Sequence, residues 1–467
     1  MNAAPRNHTP LLVLVALLGI AGAGQFLPNT LGIPLICAAV FFEFARELDF
    51  GVPIEMIGCV LACVQWLLGP LLAYRLDVDI DRYQMYVEEA EYFAFALPGT
   101  CAFICGMVSF SGQGEERQLL RMRDGRDDFR IGVVLLVGAV ASEYARPFAP
   151  GGLSFAFHLL SQLRYIAAIY FLLSDHRLKW ICFVAATFQL FVRSAESAMF
   201  HDLILWAGLL SCFWWMLRHR TTFAKITYFV IAFVFVSTIQ TVKREYRDAA
   251  WSGQSPSFLA VTYDVVVRRM EFKEQSTIDS AIVRINQGWI ISAVLHHVPE
   301  GEPFAGGETI KDAIVASTMP RFLAPNKKKA GGQENFRRFT GLPLANTTSM
   351  GISPLGEAYA NFGRVGGIFF MLVWGSVFAL GIGAVRHFGR RDPHFLIWTP
   401  LIFYQAIKVE TEIVVVMNQL TKGTVIAFAV YFFIHRIWLK NAGRVEGEIP
   451  EFEPTAIRGS LADIQRH

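Results

Sequence analysis

Six cations crowd one stretch of the chain: Arg284, Arg321, Lys327, Lys328, Arg337 and Arg338. Arg presents planar, bidentate donors to phosphate and Lys a compact charge, so the set suits an anionic head group, a diphosphate above all. Pro320 and Pro325 restrict the backbone on either side of Arg321. Arg193 follows the apolar run Leu190-Phe191-Val192, where an ionisable group must be paired or face a cavity. Glu196, three residues on, is spaced to be its partner, and Arg164, inside another apolar run, needs a partner too. Two residues are candidate proton acceptors, His296 and Glu357. His296 and His297 are adjacent, but no third ligand is spaced for a metal, so none is expected. Lys408 and Glu410, with Glu412, form a polar knot between two apolar runs, where carboxylates can hydrogen-bond sugar hydroxyls. Asp77, Asp79 and Asp81 look like the acidic metal motif of nucleotide-sugar transferases, but their expected place on the outer face, away from nucleotide sugars, favours a solvated strand or a sugar contact.

The elements that must position these residues are membrane helices. Charged residues make up only 17% of the 467, against about 25% in soluble domains, while hydrophobic residues reach 54% and mean hydropathy is +0.40. Windows near 19 residues place spans at about 11 to 27, 31 to 45, 53 to 74, 91 to 110, 131 to 145, 153 to 174, 180 to 195, 199 to 217, 226 to 242, 364 to 385, 394 to 414 and 420 to 438. The expected fold is therefore an all-α polytopic membrane protein with about 12 transmembrane helices. It divides into a membrane domain over 1–242, a large loop over 243–363, three further spans over 364–438 and a cytoplasmic tail over 439–467. The first span is read as an uncleaved anchor. Basic clusters such as Arg117, Arg121, Arg123, Arg126 and Arg130, or Arg386, Arg390 and Arg391, fall in connections on one side. The other side holds only Arg75, Arg82, Arg146, Arg193, Lys408 and Lys422 outside the long loop. By the positive-inside rule both termini are cytoplasmic and the long loop is extracytoplasmic.

A loop of that length in a compact protein is expected to fold. Apolar positions at helical spacing predict an amphipathic helix over about 276 to 296, and Thr309 to Ser317 a short second one. All seven cysteines fall in apolar runs, so they read as small residues at helix contacts. Net charge is only +3, and the single basic run sits among Gly and Pro, so no nucleic-acid partner is expected.

One ordered series of motifs is more specific. It reads Thr309-Ile-Lys-Asp-Ala-Ile, Pro320-Arg321-Phe322-Leu323-Ala324-Pro325-Asn326-Lys327, Thr347-Thr348-Ser349 and Leu355-Gly356-Glu357-Ala358-Tyr359-Ala360-Asn361-Phe362-Gly363, then Gly366-Gly367 and an apolar helix. This order resembles the Wzy-type O-antigen and exopolysaccharide repeat-unit polymerases, closely over about 309 to 375 and loosely around Arg284 and Arg193. The resemblance implies a GT-C-like membrane glycosyltransferase of a bacterial cytoplasmic membrane. Its substrates would be undecaprenyl-diphosphate-linked oligosaccharides, with no cofactor and no metal, and its pathway partners a flippase and a chain-length regulator. Arg193, Arg284, Arg321 and Lys327 would stabilise the diphosphate leaving group, and Glu357 or His296 would take the acceptor proton. Lys328, Arg337, Arg338, Thr347, Thr348, Tyr359, Asn361, Lys408 and Glu410 would contact substrate. Two alternatives stay open: a ligase transferring finished polysaccharide from the same carrier, and a polysaccharide flippase or transporter. The latter would place charges through the midplane and use broken helices in related halves, and neither feature is evident.

Overall fold

A computed structural model describes residues 8–24, 26–76, 83–110, 115–150, 153–197, 201–218, 220–232, 282–283, 285–319, 331–345 and 348–438. Among these residues every regular element is helical. In order they are α1 (Thr9–Ala23), α2 (Asn29–Glu47), α3 (Ile54–Arg75), α4 (Glu89–Ser109), α5 (Glu116–Met122), α6 (Asp128–Phe148) and α7 (Ser154–Leu173). There follow α8 (Lys179–Ser197), α9 (His201–Met216), α10 (Thr222–Ala232), α11 (Gly288–His297), α12 (Glu308–Thr318), α13 (Gln333–Thr340), α14 (Ser353–Arg391), α15 (Pro393–Phe403) and α16 (Ile413–His435).

Seven of the described helices are long and apolar enough to cross a membrane: α2, α3, α4, α6, α7, α14 and α16. Three others, α1, α10 and α15, are apolar but shorter. Residues 394–414, read from sequence as one span, are not one continuous helix. Pro393 and Pro400 open two short helical pieces, and the chain then turns over 404–412 before α16 starts at Ile413 rather than near 420. An averaging window merges the apolar half of this stretch with its polar turn.

α14 is 39 residues long, about 58 Å at ~1.5 Å per residue, nearly twice a bilayer's hydrocarbon core of about 30 Å. Gly363, at φ 66° and ψ −165°, breaks it into a cap piece over 353–362 and a span from 364. Such a conformation suits glycine, and a Cβ there would press on the Phe304 ring at 3.2 Å. Past the break, Val365, Phe369, Val373, Val377 and Leu380 form an exposed apolar stripe, while Met371, Trp374 and Phe378 are buried. The buried face lies along α4 at backbone contact: a Cβ on Gly375 would lie 2.3 Å from the Phe103 carbonyl, and one on Gly106 2.3 Å from that of Leu372. Small residues at such a crossing are how helices approach closely without water to drive them together. α6, α7 and α8 form a neighbouring group in which Phe171 fills the space beside Gly132.

Two polar layers bracket the apolar helices. At the end away from the long loop, Arg386 holds Glu55 bidentately at 2.6 and 2.9 Å and Glu116 at 2.5 Å, all buried. Glu116 in turn accepts from the Val52 amide at 2.9 Å, and buried Lys225 pairs with Asp49 at 2.6 Å. At the other end α11, α12, α13 and the cap piece of α14 fold over the helices. The predicted second loop helix, Thr309 to Ser317, is present as α12; the first is described over Gly288–His297, and α13 was not anticipated.

Candidate functional site

The loop end is anchored by a widened helical turn. Over Cys63–Leu68 α3 is locally unwound into a π-turn, and carbonyls there are taken up by side partners: Gln65 accepts from the Gln287 amide at 3.1 Å, Trp66 from the Tyr92 hydroxyl at 2.9 Å. The chain entering α11 thereby sinks against α3. A Cβ on Gly69 would meet the Ile285 carbonyl at 2.6 Å, and one on Gly288 the Tyr92 hydroxyl at 2.6 Å.

The cap piece of α14 is tied down by Glu357 and Asn361, both buried. The Glu357 carboxylate accepts the Ile413 amide at 3.0 Å, capping α16 where its first N–H groups have no partner within the helix. Asn361 uses both ends of its amide: it donates to Thr309 at 2.7 Å and to the Glu357 carbonyl at 2.8 Å, and accepts from Gly307 at 3.1 Å. These contacts make Asn361 a fastener of the cap. Tyr359, two residues earlier, is half-buried between Phe95 and Phe304, with ring centroids 5.1 and 5.9 Å away.

Around the 404–412 turn, distant segments meet. Lys408 and the Tyr404 hydroxyl both reach Asp202, each at 2.8 Å. Lys408 also lies 4.3 Å over the Tyr404 ring, which stacks on Trp206, itself stacked on Tyr165. Glu410 faces His201 at 3.3 Å and accepts from Gln287 at 3.4 Å, and Glu412 accepts from Asn335 at 2.8 Å. Gly351 lets the backbone pass, since a Cβ there would meet Glu412 at 2.9 Å. Lys408 and Glu410 are thus brought into one polar assembly with Asp202, His201 and Gln287, contacts that no local spacing announces.

Arg193 and Arg164 converge on one carboxylate, that of Glu143 near the end of α6, and Arg164 also donates to the Ser161 carbonyl at 2.8 Å. The predicted pairing of Arg193 with Glu196 falls on a side chain outside the described residues. Arg337 donates to the Leu344 carbonyl at 3.0 Å, and Arg338 to Glu302 at 2.6 Å and Glu308 at 3.0 Å, so both work inside the cap. Those hydrogen bonds hold the Arg338 pKa above its ordinary value. The Thr348 carbonyl accepts from Gln333 at 2.6 Å. Arg284, Arg321, Lys327, Lys328 and Thr347 lie outside the described residues, as do Asp77, Asp79 and Asp81.

The two adjacent histidines part company. The His297 ring is wedged beside Gly301 and Gly341, where added Cβ atoms would sit 2.2 and 2.9 Å from it. His296 is exposed and borders an open cleft of about 670 Å³, whose wall also includes Tyr86, Glu88, Glu91, Glu300 and Tyr359. The Tyr86 amide donates to Ser292 at 3.1 Å and the Tyr74 hydroxyl to the Val87 carbonyl at 2.8 Å, fixing that wall to α11 and α3. Glu88, Glu91 and Glu300 were not singled out from sequence; the acid-rich approach to α4 was the available signal. One described group has metal-ligand spacing, buried His8, Glu43 and Glu47 at the far end. There the imidazole lies 3.0 and 3.3 Å from the two carboxylates and Arg46 donates to Glu43 at 2.6 Å, which ties α1 to α2.

Helices of membrane-crossing length, joined at one end by a folded polar cap, define a helical membrane protein. The chain belongs to the family described as Domain of unknown function (DUF8712), which matches residues 76–434. No curated protein and no solved structure matches it.

Proposed function

We propose that the protein is a membrane glycosyltransferase that joins undecaprenyl-diphosphate-linked oligosaccharide repeat units into O-antigen or exopolysaccharide. It would do so on the outer face of a bacterial cytoplasmic membrane, with about 12 spans, both termini inside and the 243–363 loop outside. The observation that carries this reading is the convergence of residues 201–202, 287, 335, 357 and 408–412 into one polar assembly at the loop end of apolar helices. A lipid-linked saccharide has the same division, with its tail among the helices and its head at their rim. The ordered Pro-Arg, Pro-x-Lys and Gly-Glu-x-Tyr-x-Asn-Phe-Gly motifs support the same class.

In the reaction the acceptor hydroxyl oxygen attacks the anomeric carbon, the bond from that carbon to the diphosphate oxygen breaks, and the diphosphate leaves with the electron pair. The hydroxyl proton passes to a base on the protein. The leaving group is already a good one, so catalysis needs cations at the diphosphate and a positioned base. Lys408 and Arg193, together with Arg284, Arg321, Lys327 and Lys328, are the cation pool; His296 is the exposed candidate for the base, and buried Glu357 serves the fold.

A strain lacking the gene tests the proposal through its surface polysaccharide. Single repeats should accumulate and long chains vanish. Unaltered polysaccharide refutes it, and loss of transfer to a final acceptor with chains still made on the carrier indicates a ligase.

A further inference from the structure

We infer that the cleft bounded by Tyr86, Glu88, Glu91, His296, Glu300 and Tyr359 is the acceptor site, which takes the neutral non-reducing-end sugar of an incoming repeat and excludes the diphosphate; this rests on the polymerase reading. Three carboxylates line the cleft, and no Lys or Arg does so among the described residues. A diphosphate there would face three like charges, with no Lys or Arg among the described lining residues to offset them. Hydroxyls, in contrast, donate to carboxylates in strong charge-assisted hydrogen bonds, and the two tyrosines supply ring surface and phenol groups. At about 670 Å³ the cleft falls within the ~300–1,000 Å³ of small-molecule sites.

The wall is held in place before any ligand arrives. The Tyr86 backbone is fixed through Ser292 and the Tyr359 ring through Phe95 and Phe304, so a sugar meets a partly formed surface. The donor's anomeric carbon needs cations beside its leaving group, whereas the acceptor hydroxyl needs a base. Exposed His296 on the cleft wall meets the second need, which is why the acceptor is assigned here rather than the donor.

The test uses the full chain in nanodiscs with Glu300→Cys, labelled by a polar maleimide. The described native cysteines all lie within the apolar helices. Four additions are compared: lipid-linked repeats extracted from a strain lacking this protein, sugar-free undecaprenyl diphosphate, calcium ions and spermidine. The repeats should slow labelling severalfold and the other three should not. Equal protection by the sugar-free carrier would make the cleft a diphosphate site, and protection by calcium or spermidine alone a cation site; either overturns the inference, as does failure of the repeats to protect. In a polymerisation assay, Glu91→Gln and Tyr86→Ala should raise KM for the repeats about tenfold with kcat nearly unchanged. Unchanged KM in both variants also overturns it. If wild-type protein makes no polymer, the polymerase reading fails by itself, while protection by the repeats still reports a saccharide site.

Discussion

Glu357 separates fold from chemistry more cleanly than any other residue here. It is a carboxylate inside a motif that suggests catalysis, yet it is buried and accepts the Ile413 amide at the start of α16. Glu357→Ala leaves that amide without its acceptor, a loss of about 1–3 kcal/mol for a buried group. It also removes an acidic group from a helix N-terminus, about 0.3–1 kcal/mol more. The expected destabilisation is therefore about 1–4 kcal/mol. Glu357→Gln keeps an oxygen in place to accept the same hydrogen bond and should cost only the charge–dipole share, about 0.3–1 kcal/mol. Equilibrium unfolding in mixed micelles measures both variants, and polymerisation by the purified proteins reads activity alongside. With the cap intact, Gln should retain most of the activity. The reasoning is refuted if Ala unfolds like wild type, or if Gln is as stable as wild type but catalytically dead, since the carboxylate would then be chemical.

If His296 is the base of the proposed polymerase, His296→Asn should lower the polymerisation rate about 100-fold with folding unaffected; a rate within twofold of wild type assigns the proton elsewhere. Arg386→Met strands Glu55 and Glu116 in the interior and should cost about 3–5 kcal/mol, read as loss of monodisperse protein in detergent, with partial recovery when Glu55→Gln is added. Gly375→Leu collides with the Phe103 carbonyl and should destabilise by about 1–3 kcal/mol or more, whereas Gly138→Leu, which meets nothing within 4 Å, should leave the unfolding midpoint in place. Glu143→Gln removes the carboxylate shared by Arg164 and Arg193 and should lower the unfolding midpoint more than Arg193→Gln does, because Arg164 is the buried partner.

Helical membrane architecture was legible in the sequence because hydropathy is a local average, and the apolar runs are local. α12 was placed within a residue at each end for the same reason: its apolar residues repeat at helical spacing after two glycines. The turn at 404–412 was hidden by the same averaging, since Phe395 to Tyr404 is apolar enough to carry the polar residues after it through a 19-residue window. That buried Arg164 needs a partner was legible, but which distant residues pair was not. Arg386 meets Glu55 from 331 residues away and Glu116 from 270, and no periodicity records such a meeting. Arg193 meets Glu143 from 50 residues away, which its own helix does not announce, while the Glu196 side chain expected beside it lies outside the described residues. Of the two adjacent histidines, spacing could not tell which would be wedged against glycines and which would border a cleft; that depends on Gly301 and Gly341 closing over one ring.

The break at Gly363 also sets a length. From there to Arg386 the helix runs about 34 Å at ~1.5 Å per residue, close to the ~30 Å of a hydrocarbon core. One end is fastened through Asn361 to the cap and the other through Arg386 to Glu55 and Glu116, so the helix cannot tilt freely to suit a thinner or thicker bilayer. Lipid chain length then bears on the cap itself. A mismatch that other helices absorb by leaning is here delivered to the hydrogen bonds of Asn361 and Glu357, and the host's acyl-chain composition becomes a determinant of how the loop end is held.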